Sequence, residues 1–248
     1  RTFEDRKVAK LALGALSNLA SSEANRDVFA RTDAVPVLLG AARLFMSSEH
    51  ILEYAIGAIS HIAVHDACNQ KLVKAGAVEA LLLFIGEHRE DLQVVSKSLV
   101  ALRRIVKQSQ ASQTTVLRQI ACAGHGEGAT GVALLVGALE EHIYDETAVR
   151  ETALLLTSLS SSPSNVPTLL ALAVQPCMKA LEVHQNEVSV ADALAGLLAQ
   201  LPIEEDEVFS QDMSASLMDK PAHLCSLGEP KMPRGPGGAM PTATPLAY

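Results

Sequence analysis

Tryptophan is absent and aromatic residues make up only 3% of the 248 residues. Alternating runs of Val, Ile and aromatic residues, the mark of half-buried strands, are missing as well, so a β-sheet core is not expected. Cations are in deficit, with 20 Lys and Arg against 28 Asp and Glu, a net charge of -8 and a pI near 5.5. Gripping a phosphate backbone needs the opposite balance, which argues against nucleic acid as a partner and against a polybasic membrane surface. Long apolar runs are lacking too. Residues 80–86 and 131–139 fall well short of the roughly 18 residues that span a bilayer, so a soluble chain without a membrane span is expected. Four scattered cysteines, Cys68, Cys122, Cys177 and Cys225, form neither a CxxC pair nor a dense framework. That fits reduced thiols in a cytoplasmic or nuclear setting. Arg1 opens the chain without Met or a signal-peptide pattern, which predicts a fragment whose apolar N-terminal end is covered by preceding residues.

Apolar residues are plentiful, at 48%, enough for one sizeable core or a stacked array. Up to Pro202 they are mostly Leu and Ala recurring three and four apart, so residues 1–202 read as all-α. Beyond, residues 203–248 hold six of the 11 prolines, an acidic run from Glu204 to Glu207 and glycines that break any helix. An acidic, then Pro/Gly-rich disordered tail is expected there, with one short amphipathic piece over 208–218 and a literal PxxP at Pro230 to Pro233.

The helices repeat. Gly14-Ala15-Leu16-Ser17-Asn18-Leu19-Ala20 is echoed 43 residues later by Gly57-Ala58-Ile59-Ser60-His61-Ile62-Ala63. Residues 100–106 follow after another 43, 154–160 after 54 and 196–202 after 42. The long step is explained by insertions between helices, where added length costs little. Within a unit the order is constant. A short helix ended by Gly over 69–76, a second over 77–87 and a longer third over 91–107 match 25–32, 34–45 and 49–64 one unit earlier. The unit is a helical triplet of about 42 residues.

Leu16-Ser17-Asn18-Leu19-Ala20 at the end of a third helix, the following Glu23-Ala24-Asn25-Arg26, and Lys74-Ala75-Gly76-Ala77-Val78 at a first-to-second junction resemble the armadillo-repeat family over about residues 7–202. The resemblance implies a right-handed superhelical solenoid of about four to five repeats, armadillo- or HEAT-like, and a protein-binding scaffold or adaptor without enzymatic activity or cofactor. Stacked triplets line a concave groove with their third helices. If Asn18, His61, Arg104, Ser158 and Gln200 are equivalent, earlier turns of the same faces add Lys7 and Gly14, Tyr54 and Gly57, Lys97 and Val100, Glu151 and Leu154, and Ala193 and Gly196. A row of polar side chains suits an extended peptide, and Lys7, Lys97 and Arg104 favour an acidic or phosphorylated one. Only Asn18 keeps the ladder asparagine of the best-known family members, and no Trp partners it, which argues against a receptor for basic localisation signals. Gly14 and Gly57 are expected to permit close helix approach.

Two rival readings are a spacer within a longer solenoid and a nucleotide binder. The second rests on Gly126-Glu127-Gly128-Ala129-Thr130-Gly131, a literal GxGxxG in the glycine loop 124–131, with Glu151 about 20 residues beyond. A strand should precede such a fingerprint, whereas the preceding segment aligns with a first helix. His61, His65 and Cys68 are close enough in sequence to consider a metal ion, but no fourth ligand is evident. No GxSxG, activated Cys pattern or P-loop lysine is present, and catalysis is not expected.

Overall fold

Leu, Ile, Val and Ala at helical spacing produce the expected elements. The computed structural model describes residues 3–109, 113–122 and 130–203, and among these every regular element is helical. The chain runs through α1 (Phe3–Ser21), α2 (Glu23–Arg31), α3 (Ala34–Leu44), α4 (Glu49–Ile62), α5 (Asp66–Lys74), α6 (Ala77–Glu87), α7 (Leu92–Gln108) and α8 (Gln113–Cys122). It continues with α9 (Gly131–Glu141), α10 (Glu146–Ser160), a 3-10 turn (Pro163–Asn165), α11 (Val166–Val183) and α12 (Val188–Leu198). The all-α expectation therefore holds for the described residues. The tail, the amphipathic piece at 208–218, the PxxP and most of the glycine loop lie outside them.

Two rows of helices organise the packing. Helix α1 packs on α4, α4 on α7, α7 on α10 and α10 on α12, while α3 packs on α6, α6 on α9 and α9 on α11. The short helices α2, α5 and α8 bridge the rows. One apolar cluster from Leu13 to Leu201 runs through all of them. Gly76 turns the chain from α5 into α6 at φ +77°, a left-handed conformation that a side chain would strain. Its carbonyl accepts a hydrogen bond from Arg43 Nη2 at 2.7 Å, tying the junction to the preceding unit.

A recurring device, missed in the sequence, joins successive units at the turn between the second and third helices. His88, His142 and His184 cap the C-termini of α6, α9 and α11. Through Nε2 they bond the carbonyls of Met46 (2.8 Å), Arg89 (2.8 Å) and Ile143 (2.6 Å) in the turn one unit earlier. Three residues after each histidine an acid, Asp91, Asp145 or Glu187, occupies the N-cap of the next helix. Asp91 Oδ1 accepts from the N–H groups of Gln93 and Val94, and Asp145 Oδ1 from that of Ala148. The pattern His-x-x-Asp/Glu thus ends one helix, starts another and clamps the turn to its predecessor.

The last unit departs from the pattern. Where Gly76 separates α5 from α6, the corresponding Leu172 lies inside α11, which runs on for 18 residues with Pro176 in its interior. Pro176 has no N–H for the Leu172 carbonyl, so one helical bond is missing at the old junction although the helix is not interrupted. Residues 163–183 are long and apolar enough to cross a membrane by length and composition alone. Thr168, Gln175 and Lys179 obscure this in a search for unbroken apolar runs. Leu169, Ala173, Cys177 and Ala180 of this segment are buried against neighbouring helices.

Candidate functional site

Residues 50, 54, 57 and 61 of α4 are spaced four, three and four apart, which stacks them along one helical stripe. Beside that stripe the edges of α1 and α7 close an open cavity of about 460 Å³, lined by Lys10, Ser17, His50, Glu53, Tyr54, Gly57, His61 and Lys97. Two glycines allow the approach. A Cβ on Gly14 would touch the Tyr54 ring at 3.8 Å, and one on Gly57 would lie 3.1 Å from Ser17 Oγ. Tyr54 therefore lies over Gly14 and Ser17 over Gly57.

The cavity brings together four members of the sequence-derived row, Tyr54, Gly57, His61 and Lys97. Lys97 Nζ is paired with Glu53 Oε2 across the α4–α7 boundary. His50 Nδ1 lies 3.5 Å from the other oxygen of that carboxylate. Arg104 is beside this wall and donates from Nη1 to the Ser60 carbonyl (3.1 Å) and to Ser60 Oγ (3.0 Å). Burial, and after it the charges of Arg104 and Arg26, hold the His61 imidazole below its ordinary pKa, so the neutral ring is favoured.

The remaining row residues are spread along the neighbouring helices. Lys7 and Asn18 are exposed on α1. Lys7 precedes Asn18 by three turns rather than two, so its counterpart on α4 is His50 and not Tyr54. Glu151 is buried between two guanidinium groups, with Arg103 Nε at 3.2 Å and Arg150 Nη2 at 3.2 Å. Ser158 Oγ turns back onto the Leu154 carbonyl at 2.9 Å. Gln200 Oε1 accepts from Ser160 Oγ at 2.7 Å. Lys97 and Arg104 are thus braced to the preceding unit.

Lys10, Ser17, His50 and Glu53 are the lining residues that sequence reasoning missed. It followed each row up its own helix, whereas Lys10 and Ser17 sit on the α1 edge that meets the next unit. The repeat offset of 43 contains the signal, since Ser17 corresponds to Ser60 and Lys10 to Glu53, both of which contact α7.

The remaining chemical candidates divide differently. His65 occupies the N-cap of α5, with Nδ1 accepting from the Cys68 N–H (3.4 Å) and Nε2 on Asp27 Oδ1 (3.1 Å), so both ring nitrogens are occupied. The Cys68 thiol donates to the Arg26 carbonyl. No group of three or more His, Cys, Asp or Glu suited to a metal ion occurs among the described residues. Burial raises the Cys68 pKa and pushes that of Cys177 up to about 12, which keeps both thiols protonated and poorly nucleophilic. Residues 124–129 of the glycine loop lie outside the described residues. Its end, Gly131, begins α9, and the element before the loop is helix α8 rather than a strand.

No family model, characterised protein or solved structure matches the chain.

Proposed function

We propose that residues 1–202 form an armadillo-type solenoid of four to five repeats, a right-handed superhelix acting as a non-enzymatic protein-interaction scaffold. The observation that carries this reading is the open cavity where α1, α4 and α7 meet, with Lys10, Lys97 and His61 beside the Tyr54 ring. The two rows of helices and the triplets α2–α4, α5–α7 and α8–α10 support the architecture. An extended partner segment lies along the third-helix faces, and its acidic or phosphorylated side chain enters the cavity. Arg103 and Arg150 flank the buried Glu151 further along, two cations against one carboxylate on a chain whose net charge is -8. Burial first, and then the charges of Arg104 and Arg26, lower the pKa of His61 beside the cavity. The Tyr54 ring gives an aliphatic or aromatic neighbour of the anion a surface to lie on.

Screening extended acidic and phosphoserine peptides against the full chain by fluorescence anisotropy tests the proposal. The double variant Lys97→Glu, Arg104→Glu is expected to weaken the best binder by roughly tenfold or more, with helicity retained. Binding of that peptide at undiminished strength, or no binder in the screen, would remove the groove from consideration.

A further inference from the structure

Side-chain bridges tie successive third helices to one another. Between α4 and α7, Glu53 takes the Lys97 ammonium and Ser60 takes the Arg104 guanidinium. Between α7 and α10, Arg103 pairs with Glu151, and Ser96 donates to Asp145 at the α10 N-cap at 3.3 Å. At the end of α10, Ser160 donates to Gln200 just beyond α12.

The α1–α4 boundary has different residues at the positions that bridge α4 to α7. Counted back by 43, Glu53 becomes Lys10, Lys97 becomes Tyr54, Ser60 becomes Ser17 and Arg104 becomes His61. An ammonium therefore stands where the next boundary has a carboxylate. Among the described residues, the side chains of Lys10, Ser17, Tyr54 and His61 make no hydrogen bond or ion pair. All four nevertheless line one open cavity, together with Lys97 and Glu53. Polar groups that find no partner within the fold are satisfied by water or by a ligand.

The chemistry of these groups defines what fits. Lys10 from α1 and Lys97 from α7 bring positive charge to the two edges of the α4 stripe, and the Ser17 and Tyr54 hydroxyls and the single N–H of the neutral His61 ring add uncharged donors. A carboxylate has two oxygens in one plane and a single charge, and at Lys97 it would exchange for Glu53 like for like. A phosphate monoester presents three oxygens in a tetrahedral fan and close to two charges, which suits donors from three helices and draws Lys97 away from Glu53. Glu53 has a second partner within reach, since its other oxygen lies 3.5 Å from His50 Nδ1.

We infer that the cavity is a phosphate site, in which Lys10, Ser17, Tyr54, His61 and Lys97 hold the phosphate of a phosphorylated partner side chain, and that Glu53 is the internal counter-ion for which Lys97 exchanges it. The inference rests on the groove reading for the phosphate's belonging to a protein, and adds to it the choice of phosphate over carboxylate and the competing part of Glu53.

The experiment titrates phenyl phosphate and benzoate, which share a ring and differ in the anionic group, into the isotope-labelled full chain above neutral pH, where the phosphate is a dianion. The ring signals of Tyr54 and His61 are followed by NMR in the wild-type chain, Lys10→Gln and Glu53→Gln. Phenyl phosphate is expected to shift both rings and to bind at least roughly fivefold more tightly than benzoate. Lys10→Gln should weaken it by roughly tenfold, and Glu53→Gln, which frees Lys97 and removes a like charge, should tighten it by a similar factor, both with unchanged helicity. Benzoate bound as tightly as phenyl phosphate, no shift at Tyr54 and His61, or a Glu53→Gln chain with no gain in affinity would overturn the proposal. Its fate is separable from that of the groove. Selective phenyl phosphate binding with no peptide binder in the screen would keep the phosphate site and remove the protein partner, whereas a peptide whose affinity ignores both Lys10→Gln and Glu53→Gln would keep the groove and remove the phosphate site.

Discussion

Ser98 on α7 and Thr152 on α10 are hydroxyl residues among buried Val, Ala, Ile and Leu, and both are fully buried. Neither hydroxyl oxygen has a hydrogen-bond partner. A buried polar group left unpaired costs about 1–3 kcal/mol, and removing it without changing the volume recovers part of that. Thr152→Val and Ser98→Ala are therefore expected to be neutral or to stabilise by about 1 kcal/mol each in urea unfolding, and a clear loss of stability would show that each hydroxyl has a role in packing. His61 sets a pH dependence of known sign. Its folded pKa is below the unfolded value of about 6.5, so the unfolded chain takes up the proton first as pH falls. The contribution of this group is complete above that pH and declines as the pH drops toward the lower folded value. Ring-proton NMR titration should place His61 below 6.5, and Arg104→Gln should raise its pKa by removing one of the two charges that depress it. Titration at the unperturbed value would contradict the positive potential assigned to the groove.

The histidine rungs give the second-to-third helix turns their fixed connection to the preceding unit. His184 is the most buried of the three, and its Nε2 serves the Ile143 carbonyl. His184→Ala leaves that carbonyl unpaired and a cavity behind, so a loss of about 2 kcal/mol is expected. His184→Gln, which can still donate, should recover part of it, and equal losses for the two variants would assign the effect to packing alone. Most helices were legible because apolar residues three and four apart need no knowledge of the partner. Helices expected over 34–45, 49–64 and 77–87 end within two residues of those limits at Leu44, Ile62 and Glu87. The rungs were not legible, since His-x-x-Asp/Glu is a short pattern whose acceptor lies 41 to 53 residues away. Helix α11 escaped for a related reason. Gly marks a junction when present, but whether the chain turns or continues at Leu172 depends on what packs around it.

At the scale of the molecule, the third helices repeat one contact from unit to unit, α1 on α4, α4 on α7, α7 on α10 and α10 on α12. The sequence by itself determined that the described residues are helical and that triplets recur, since the spacing of apolar side chains along one helix is a local property. The candidate row was partly legible for the same reason, and the repeat offset aligned Asn18, His61 and Arg104. Tertiary structure decided what those side chains do. It paired Lys97 with Glu53 and Arg104 with Ser60, buried Glu151 between arginines, and closed the cavity with Lys10 and Ser17 from the neighbouring helix. Charge state, pairing and exposure all depend on residues roughly one repeat away in sequence, and helical periodicity contains no information about that distance.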